Sequence, residues 1–212
     1  MKVAIFGASG ATGLLLTHRC LDAGYAVTAL LRSPDRFPLR DRVRVVVGSA
    51  LESMAVRQTV EGADVVLSAL GARSWHNEYV LEQAVPLIVT AMRQTGVSRI
   101  IVLGGASARA ESLDRQPAPV RWLLRRVLYE GMLKWPSAAQ RAQWLTLSAS
   151  GLDWTMVMPP MLTNGRARHR VRVDGEALPR RGMRISRADV ADFMMQQIGN
   201  DRWVGTGVYI AW

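Results

Sequence analysis

Three glycines at regular spacing follow the first apolar run of the chain. Residues 7–13 read Gly-Ala-Ser-Gly-Ala-Thr-Gly and come directly after the apolar segment 2–6. Where such a turn joins a buried strand to a helix, backbone N–H groups and the helix dipole bind a pyrophosphate. The spacing GxxGxxG departs from the usual GxGxxG, so a glycine turn without a ligand stays open as an alternative. The predicted pyrophosphate-binding residues are Gly7, Ser9, Gly10, Ala11, Thr12 and Gly13.

Two arginines lie where a second strand is expected to end. Arg32 follows the apolar run 26–31, and Arg36 follows Arg32 across a short turn. An acid at this point binds the ribose 2′-hydroxyl of NAD, whereas arginine accommodates the 2′-phosphate of NADP. We therefore predict NADP(H) as the cofactor, with its 2′-phosphate held by two guanidinium groups. Asp35 keeps NAD open, and a solvated surface position is the alternative for both arginines.

Small residues follow other apolar runs. Ligands of open α/β sheets bind at the carboxyl ends of the strands, where small side chains leave room for ribose and nicotinamide. The residues predicted to contact the cofactor there are Ala69, Leu70, Gly71, Gly104, Gly105 and Pro159.

Short aliphatic runs alternate with helix-length segments over the first half of the chain. Runs without polar alternation are typical of strands buried on both faces of a parallel sheet. Their alternation with amphipathic segments predicts an α/β fold with a doubly wound, mostly parallel sheet, the Rossmann fold. The predicted strands are 2–6, 26–31, 43–47, 64–69 and 99–103, and the predicted helices are 12–23, 51–60 and 78–95.

The pattern changes after residue 103. Residues 117–150 predict two helices without an intervening strand, and 154–158 predict a strand. The segment 163–182 predicts a loop or hairpin, while Ser186 and Asp189 predict the N-terminal cap of a last helix before a strand at 208–210. We expect a single Rossmann domain over 1–212, with a small C-terminal extension on the substrate side. Residues 105–140 and 161–182 are its expected variable substrate or lid region.

Composition narrows the class of protein. The 212 residues carry a formal net charge of +10 without a nucleic-acid-binding motif, so we predict attraction of anionic ligands and no nucleic-acid partner. Cys20 is the single cysteine, which excludes an internal disulfide, and the histidines lack the spacing of metal ligands, so no metal site is predicted. Neither a signal peptide nor a membrane span is indicated, and we expect a cytoplasmic protein.

The chain resembles the atypical short-chain dehydrogenase/reductase superfamily, and within it the NAD(P)H-binding proteins grouped with biliverdin reductase B, also called flavin reductase. The likeness covers nearly the whole chain apart from 108–140. It implies that residues 7–13 hold the pyrophosphate and that Arg32 and Arg36 hold the 2′-phosphate. The stretches that carry it are 4–13, 23–28 with Arg32, 45–48, 70–73, 150–154, 157–160 and 185–190.

Departures from that family bear on the chemistry. Gly105 stands where the flavin and biliverdin reductase has a serine, which leaves Ser107 as the candidate catalytic residue, a hydrogen-bond donor near the nicotinamide, with loop capping as its alternative. Tyr129 precedes Lys134 by five residues, so the Tyr-xxx-Lys pair of classical members is missing. Hydride transfer to a flavin needs mainly positioning, so we predict an NADPH-dependent reductase of a flavin- or quinone-like acceptor. The alternative is a nucleotide-sensing regulator similar to NmrA-like proteins.

Residues 119–135 predict a basic helix that carries aromatic side chains. We expect it to be a lid or the contact of a homodimer, and association with an anionic membrane surface is the alternative. Trp144, Met156, Met158 and Met161 are expected to fill the core, and for Met161, which follows two prolines, a place in the lining of the acceptor pocket is the alternative.

Overall fold

A computed structural model describes residues 1–71, 80–127 and 134–212 of the chain. The strands are β1 (Lys2–Phe6), β2 (Ala26–Leu31), β3 (Arg44–Val47), β4 (Val65–Ser68), β5 (Arg99–Leu103), β6 (Asp153–Met158), β7 (Met161–Thr163), β8 (Arg172–Asp174), β9 (Arg184–Ser186) and β10 (Thr206–Ala211). The central sheet has the strand order β3-β2-β1-β4-β5-β6-β10-β8, in which only β8 is antiparallel to its neighbour. A second, two-stranded sheet pairs β7 with β9.

Helices cover both faces of the central sheet. The side chains of β5 alternate between the two resulting cores: Ile101 packs in the core that contains α1 and α6, and Ile100 in the core that contains α2, α3 and α5. Because both faces are covered, the inner strands are mostly apolar on both sides, and the predicted doubly wound α/β fold is confirmed. The helices are α1 (Ala11–Asp22), α2 (Ser53–Val60), α3 (Val80–Thr95), α4 (Ala118–Leu123), α5 (Lys134–Ser148) and α6 (Arg187–Gln196).

The segment 163–182, predicted as a loop or a hairpin, is mostly a loop. Its alternating residues do not form a hairpin, because β8 pairs with β10, where Val173 lies opposite Ile210. The other strand residue in this segment is Thr163, which ends β7. Strands that pair across nearly forty residues of chain leave no recognisable pattern in the local sequence, whereas a hairpin is marked by its turn residues.

Most of the predicted core residues are buried, but Met161 is 65% exposed in β7, so its predicted place in the core is wrong. Cys20, Met156 and Met158 are fully buried, and Trp144 is half-buried with its ring edge-on to Trp154. Burial raises the pKa of the Cys20 thiol to about 12, so this side chain remains a neutral thiol and packs as a small apolar group. Within the described segments, no helix is long and apolar enough to cross a membrane.

Asp189 joins the C-terminal segments around the start of α6. The predicted cap is confirmed: the Ser186 hydroxyl accepts a hydrogen bond from the Asp189 N–H at 3.0 Å and donates one to its carboxylate at 2.7 Å. The same carboxylate accepts the backbone N–H groups of Arg168 at 3.0 Å and His169 at 2.8 Å, and the indole N–H of Trp212 at 2.9 Å. One buried side chain therefore holds together the 168–169 loop, the start of α6 and the residue that follows the last strand.

Burial by itself would raise the pKa of Asp189, but the hydrogen bonds from Arg168, Ser186, His169 and Trp212 favour the carboxylate and bring the pKa below its ordinary value. A folded-state pKa below the unfolded one stabilises the fold above the unfolded pKa. That stabilisation is lost as the pH falls through the folded-state pKa.

We predict that Asp189→Asn lowers the free energy of unfolding at pH 7 by about 2–3 kcal/mol, because a charged acceptor with several donors is lost. Below about pH 4 the difference from the wild type should narrow, since the carboxylate itself becomes protonated. Urea unfolding at both pH values measures this. Asp41→Asn, at a side chain that is 90% exposed, is the matched control and should change little. Equal stability of the two variants at pH 7 would contradict the role of Asp189.

Candidate functional site

The glycine turn between β1 and α1 depends on two close approaches. Gly7 has φ +77°, and a Cβ there would lie 2.7 Å from the carbonyl carbon and oxygen of Ala69. A Cβ on Gly13 would lie 2.0 Å from the carbonyl oxygen of Gly7. No side chain larger than hydrogen fits at either position, so the turn packs directly against the end of β4 and the first turn of α1.

The start of α1 offers backbone donors without side-chain caps. The N-cap residue of α1 is Gly10, which has an ordinary φ of −75° and no side chain that could cap the helix. The first turn of α1 contains no acidic residue. The Gly10 N–H donates to the Gly7 carbonyl at 3.0 Å. Ala11 and the buried Thr12 begin the helix. Free N–H groups at the positive end of a helix bind anions, so this arrangement suits the pyrophosphate predicted from the sequence.

A first cleft of about 120 Å³ opens beside this turn at the carboxyl edge of the sheet. Gly7 and Ser9 from the turn, Arg32 from the end of β2, and Leu70 and Gly71 from the end of β4 all line it, together with the segment 48–51. Five of the residues predicted for the cofactor site therefore line one cleft: Gly7, Ser9, Arg32, Leu70 and Gly71. Arg32 is the one charged residue among those described along its wall.

Arg36 and Asp35 lie apart from the first cleft. Arg36 ends the short 3-10 helix Pro34–Arg36 and is exposed, and it does not line the cleft in this structure. The predicted pair of guanidinium groups on one phosphate is thus not assembled here. Asp35 forms an ion pair with Arg40 at 3.2 Å and does not line the cleft either.

The ends of β5 and β6 are joined by hydrogen bonds. The N–H of Gly104 donates to the Val157 carbonyl at 2.8 Å, and the N–H of Ala106 donates to the Pro159 carbonyl at 3.0 Å. Gly104 is buried, and a Cβ there would lie 2.3 Å from the Met156 methyl carbon, so close packing against β6 explains the missing side chain. Gly105 is more open, with the Gln140 side chain 3.4 Å from the position of a Cβ.

Ser107 lines a second cleft of about 280 Å³, between residues 107–113 and the helices α4 and α5. Arg109 is held at its wall, with its guanidinium carbon 5.1 Å from the Trp144 ring centroid and its Nε 3.6 Å from the Glu111 carboxylate. Arg121 and Arg141 line the same cleft from α4 and α5. Sequence reasoning did not single out Arg109 or Arg141, because no motif links residues that meet only through tertiary packing.

Other predicted positions lie elsewhere. Met161 is 65% exposed in β7 and lines neither cleft. His169 is 3.8 Å from Asp192 on the surface, and no cluster of three metal-ligating side chains occurs in the described parts of the chain. Some residues named from the sequence lie outside the described part of the chain: Tyr129, Arg73 and one of the three histidines, His76. Part of the predicted helix 119–135 also lies outside it.

The chain is similar to one known reductase over nearly the whole length of both proteins. The chain is 24% identical to the reductase pytE of Aspergillus terreus over 92% of its own length and 90% of the relative. Among solved structures, a short-chain dehydrogenase/reductase of Veillonella parvula in complex with NADP gives a TM-score of 0.81 at 20% identity, over 100% of this chain and 94% of that one. A putative NADH-flavin reductase of Streptococcus pneumoniae gives 0.80 at 21% identity, over 100% and 99%.

These structures confirm the Rossmann-type fold predicted from the apolar runs. The family described as NAD(P)H-binding matches residues 7–201, which extend from the first glycine of the turn almost to β10. The glycine turn, the uncapped start of α1 and the cleft beside them fit a dinucleotide. This chain therefore belongs to the NAD(P)H-binding family.

Proposed function

We propose that the protein is an NADPH-dependent reductase that passes a hydride to a flavin- or quinone-like acceptor. The observation that carries the proposal is the placement of two clefts at neighbouring strand ends, one beside the glycine turn with Arg32 and one that begins at Ser107 beyond β5. A reductase needs such adjacent sites for two reactants. The similarity to pytE and to a putative NADH-flavin reductase supports this reaction class.

The residues of the first cleft would hold the dinucleotide. The N–H groups at the start of α1 would bind the pyrophosphate, and Arg32 would bind the 2′-phosphate at the end of β2. No acidic residue is found among the described residues of this cleft, which favours NADPH over NADH. When bound, the reduced nicotinamide supplies a hydride, and the acceptor gains that hydride and one proton.

Ser107 is our candidate for the group that orients the acceptor. Its side chain lines the second cleft just beyond the end of β5, where the nicotinamide end of the dinucleotide is expected. A hydroxyl donates one hydrogen bond and accepts others, so it can hold a ring nitrogen or carbonyl oxygen of the acceptor. The proton of the reduced acceptor comes from water, which the open second cleft admits.

A second candidate function is a nucleotide-sensing regulator. The observation in its favour is the surface of α4, where Trp122 is 66% and Leu123 is 53% exposed. Exposed apolar side chains of this size are typical of contact surfaces, either with a partner or with a second copy of the chain. Under either function, we propose that the protein is located in the cytoplasm.

The proposed reaction is tested by following NADPH absorbance with FMN, riboflavin and a simple quinone offered in turn, and with NADH as the control. We expect consumption of NADPH with at least one acceptor, and slower consumption of NADH. Tight binding of NADPH without reduction of any acceptor would overturn the reductase and favour the regulator.

We predict that Arg32→Ala weakens NADPH binding by about 1.5–3 kcal/mol, because a charge-assisted hydrogen bond to the 2′-phosphate is lost. NADH, which lacks that phosphate, should bind as before. Calorimetric titration with both nucleotides measures this. Arg36→Ala is the matched control, and its exposed position outside the cleft predicts a smaller loss. If Arg32→Ala weakens both nucleotides equally, the assignment of the 2′-phosphate to Arg32 is wrong.

Two alanine substitutions in the glycine turn should separate binding from folding. A Cβ on Gly10 lies 3.3 Å from the Gly7 carbonyl oxygen, so Gly10→Ala should fold and lower NADPH affinity about tenfold by obstructing the pyrophosphate. Gly13→Ala should instead destabilise the fold by about 3 kcal/mol, since its Cβ overlaps Gly7. Thermal unfolding and nucleotide titration measure the two effects. Unchanged affinity in a folded Gly10→Ala protein would place the pyrophosphate elsewhere.

A further inference from the structure

The second cleft is strongly basic. Arg109, Arg121, Arg125 and Arg141 line it, and the described lining residues include no acid. They come from three different parts of the chain. Arg109 lies in the segment after β5, Arg121 and Arg125 lie in the region of α4, and Arg141 lies in α5. Arginines gathered around one concave space focus a positive potential into it, which raises the local concentration of anions.

We propose that the second cleft binds an acidic group of the acceptor, a phosphate or a carboxylate, and so makes the protein selective for anionic acceptors. This inference rests on the proposed reductase function. It adds the chemical class of the acceptor and the residues that select it, which the fold and the glycine turn leave undefined.

The positions of the arginines favour ligand binding over a role in stability. Arg121 on α4 and Arg141 on α5 line the same concave space, so their like charges repel each other across it. Arg109 is fixed against the Trp144 ring, so its guanidinium is positioned before a ligand arrives. A bound anion would offset the repulsion between these groups and would accept the hydrogen bonds that guanidinium groups donate in pairs.

Neutral donors accompany the charges. Ser107 and Ser137 line the same cleft. The Ser137 hydroxyl oxygen is buried and has no hydrogen-bond partner in the described structure. A buried hydroxyl without a partner costs free energy, and an oxygen of a phosphate or carboxylate would accept its proton.

The nucleotide does not account for this charge. The pyrophosphate is assigned to the start of α1 and the 2′-phosphate to Arg32, both at the first cleft. The second cleft, of about 280 Å³, shares none of its described lining residues with the first. It therefore suits the acidic arm of an acceptor whose redox-active ring lies at the ends of β5 and β6.

FMN and riboflavin test the inference, because they share one redox ring and differ by a phosphate. We expect kcat/KM for FMN to exceed that for riboflavin about tenfold, a preference that should shrink as ionic strength rises. A quinone with a carboxylate side chain, compared with its methyl ester, forms the second arm. The two arms tell a phosphate from a carboxylate specificity. Equal rates within both pairs would overturn the proposal.

Arg141→Gln and Arg121→Gln identify the site. Each should lower kcat/KM for FMN about tenfold and leave riboflavin within about twofold. Arg44→Gln, with the same charge change at the amino end of β3, is the matched control and should leave both acceptors unchanged. If the cleft variants lower both flavins equally, or if Arg44→Gln has the same effect, the cleft does not select the anion. Thermal unfolding confirms that each variant is folded.

Quenching of flavin fluorescence in the presence of NADP+ keeps this inference separate from the proposed function. Tighter binding of FMN than of riboflavin, lost in Arg141→Gln, supports the anion site even where no acceptor is reduced, and then only the reductase assignment fails. Turnover of riboflavin and FMN at the same rate, with equal quenching by both, overturns the anion site while the reductase stands.

Discussion

The contact between Gly13 and Gly7 sets the geometry on which the rest of the site depends. Because a Cβ on Gly13 would lie 2.0 Å from the Gly7 carbonyl oxygen, α1 starts directly at the turn rather than beyond it. The N–H groups at the helix start then face the carboxyl edge of the sheet without side-chain caps. A backbone constraint in seven residues thus leaves an uncapped helix start, an arrangement that suits an anion because the helix end carries partial positive charge.

The parallel sheet brings together groups that are far apart in the chain. Neighbouring parallel strands lie about 4.8 Å apart and end at the same edge, so the ends of β1, β2 and β4 form one wall and that of β5 continues it. The right-handed crossovers that connect the strands also place α2, α3 and α5 on one face. The second cleft follows from this arrangement, since α5 lies beside the residues that leave β5.

Basic groups of the chain fall into different environments. Arg32 is the one charged residue among the described lining residues of the first cleft, whereas four arginines line the second. Arg99, by contrast, has a structural role: its guanidinium donates to the carbonyls of Asp153 at 2.8 Å and Gln197 at 2.6 Å and ties β6 to the end of α6. The arginines that contribute to the net charge of +10 therefore lie in several separate places and do not form one basic surface.

Local patterns in the sequence determined the strand and helix positions of the first half, the glycine turn, the place of Arg32 and the cap of α6. The spacing of apolar residues, the backbone angles that glycine permits and the capping of a helix all depend on residues only a few positions apart. Tertiary structure alone decided that β8 pairs with β10, that Met156 requires a glycine at 104, and that Arg109, Arg121 and Arg141 meet. It also separated Arg36 from Arg32. These outcomes depend on how helices and loops pack over long separations in the chain, and spacing along the sequence carries no signal for that packing.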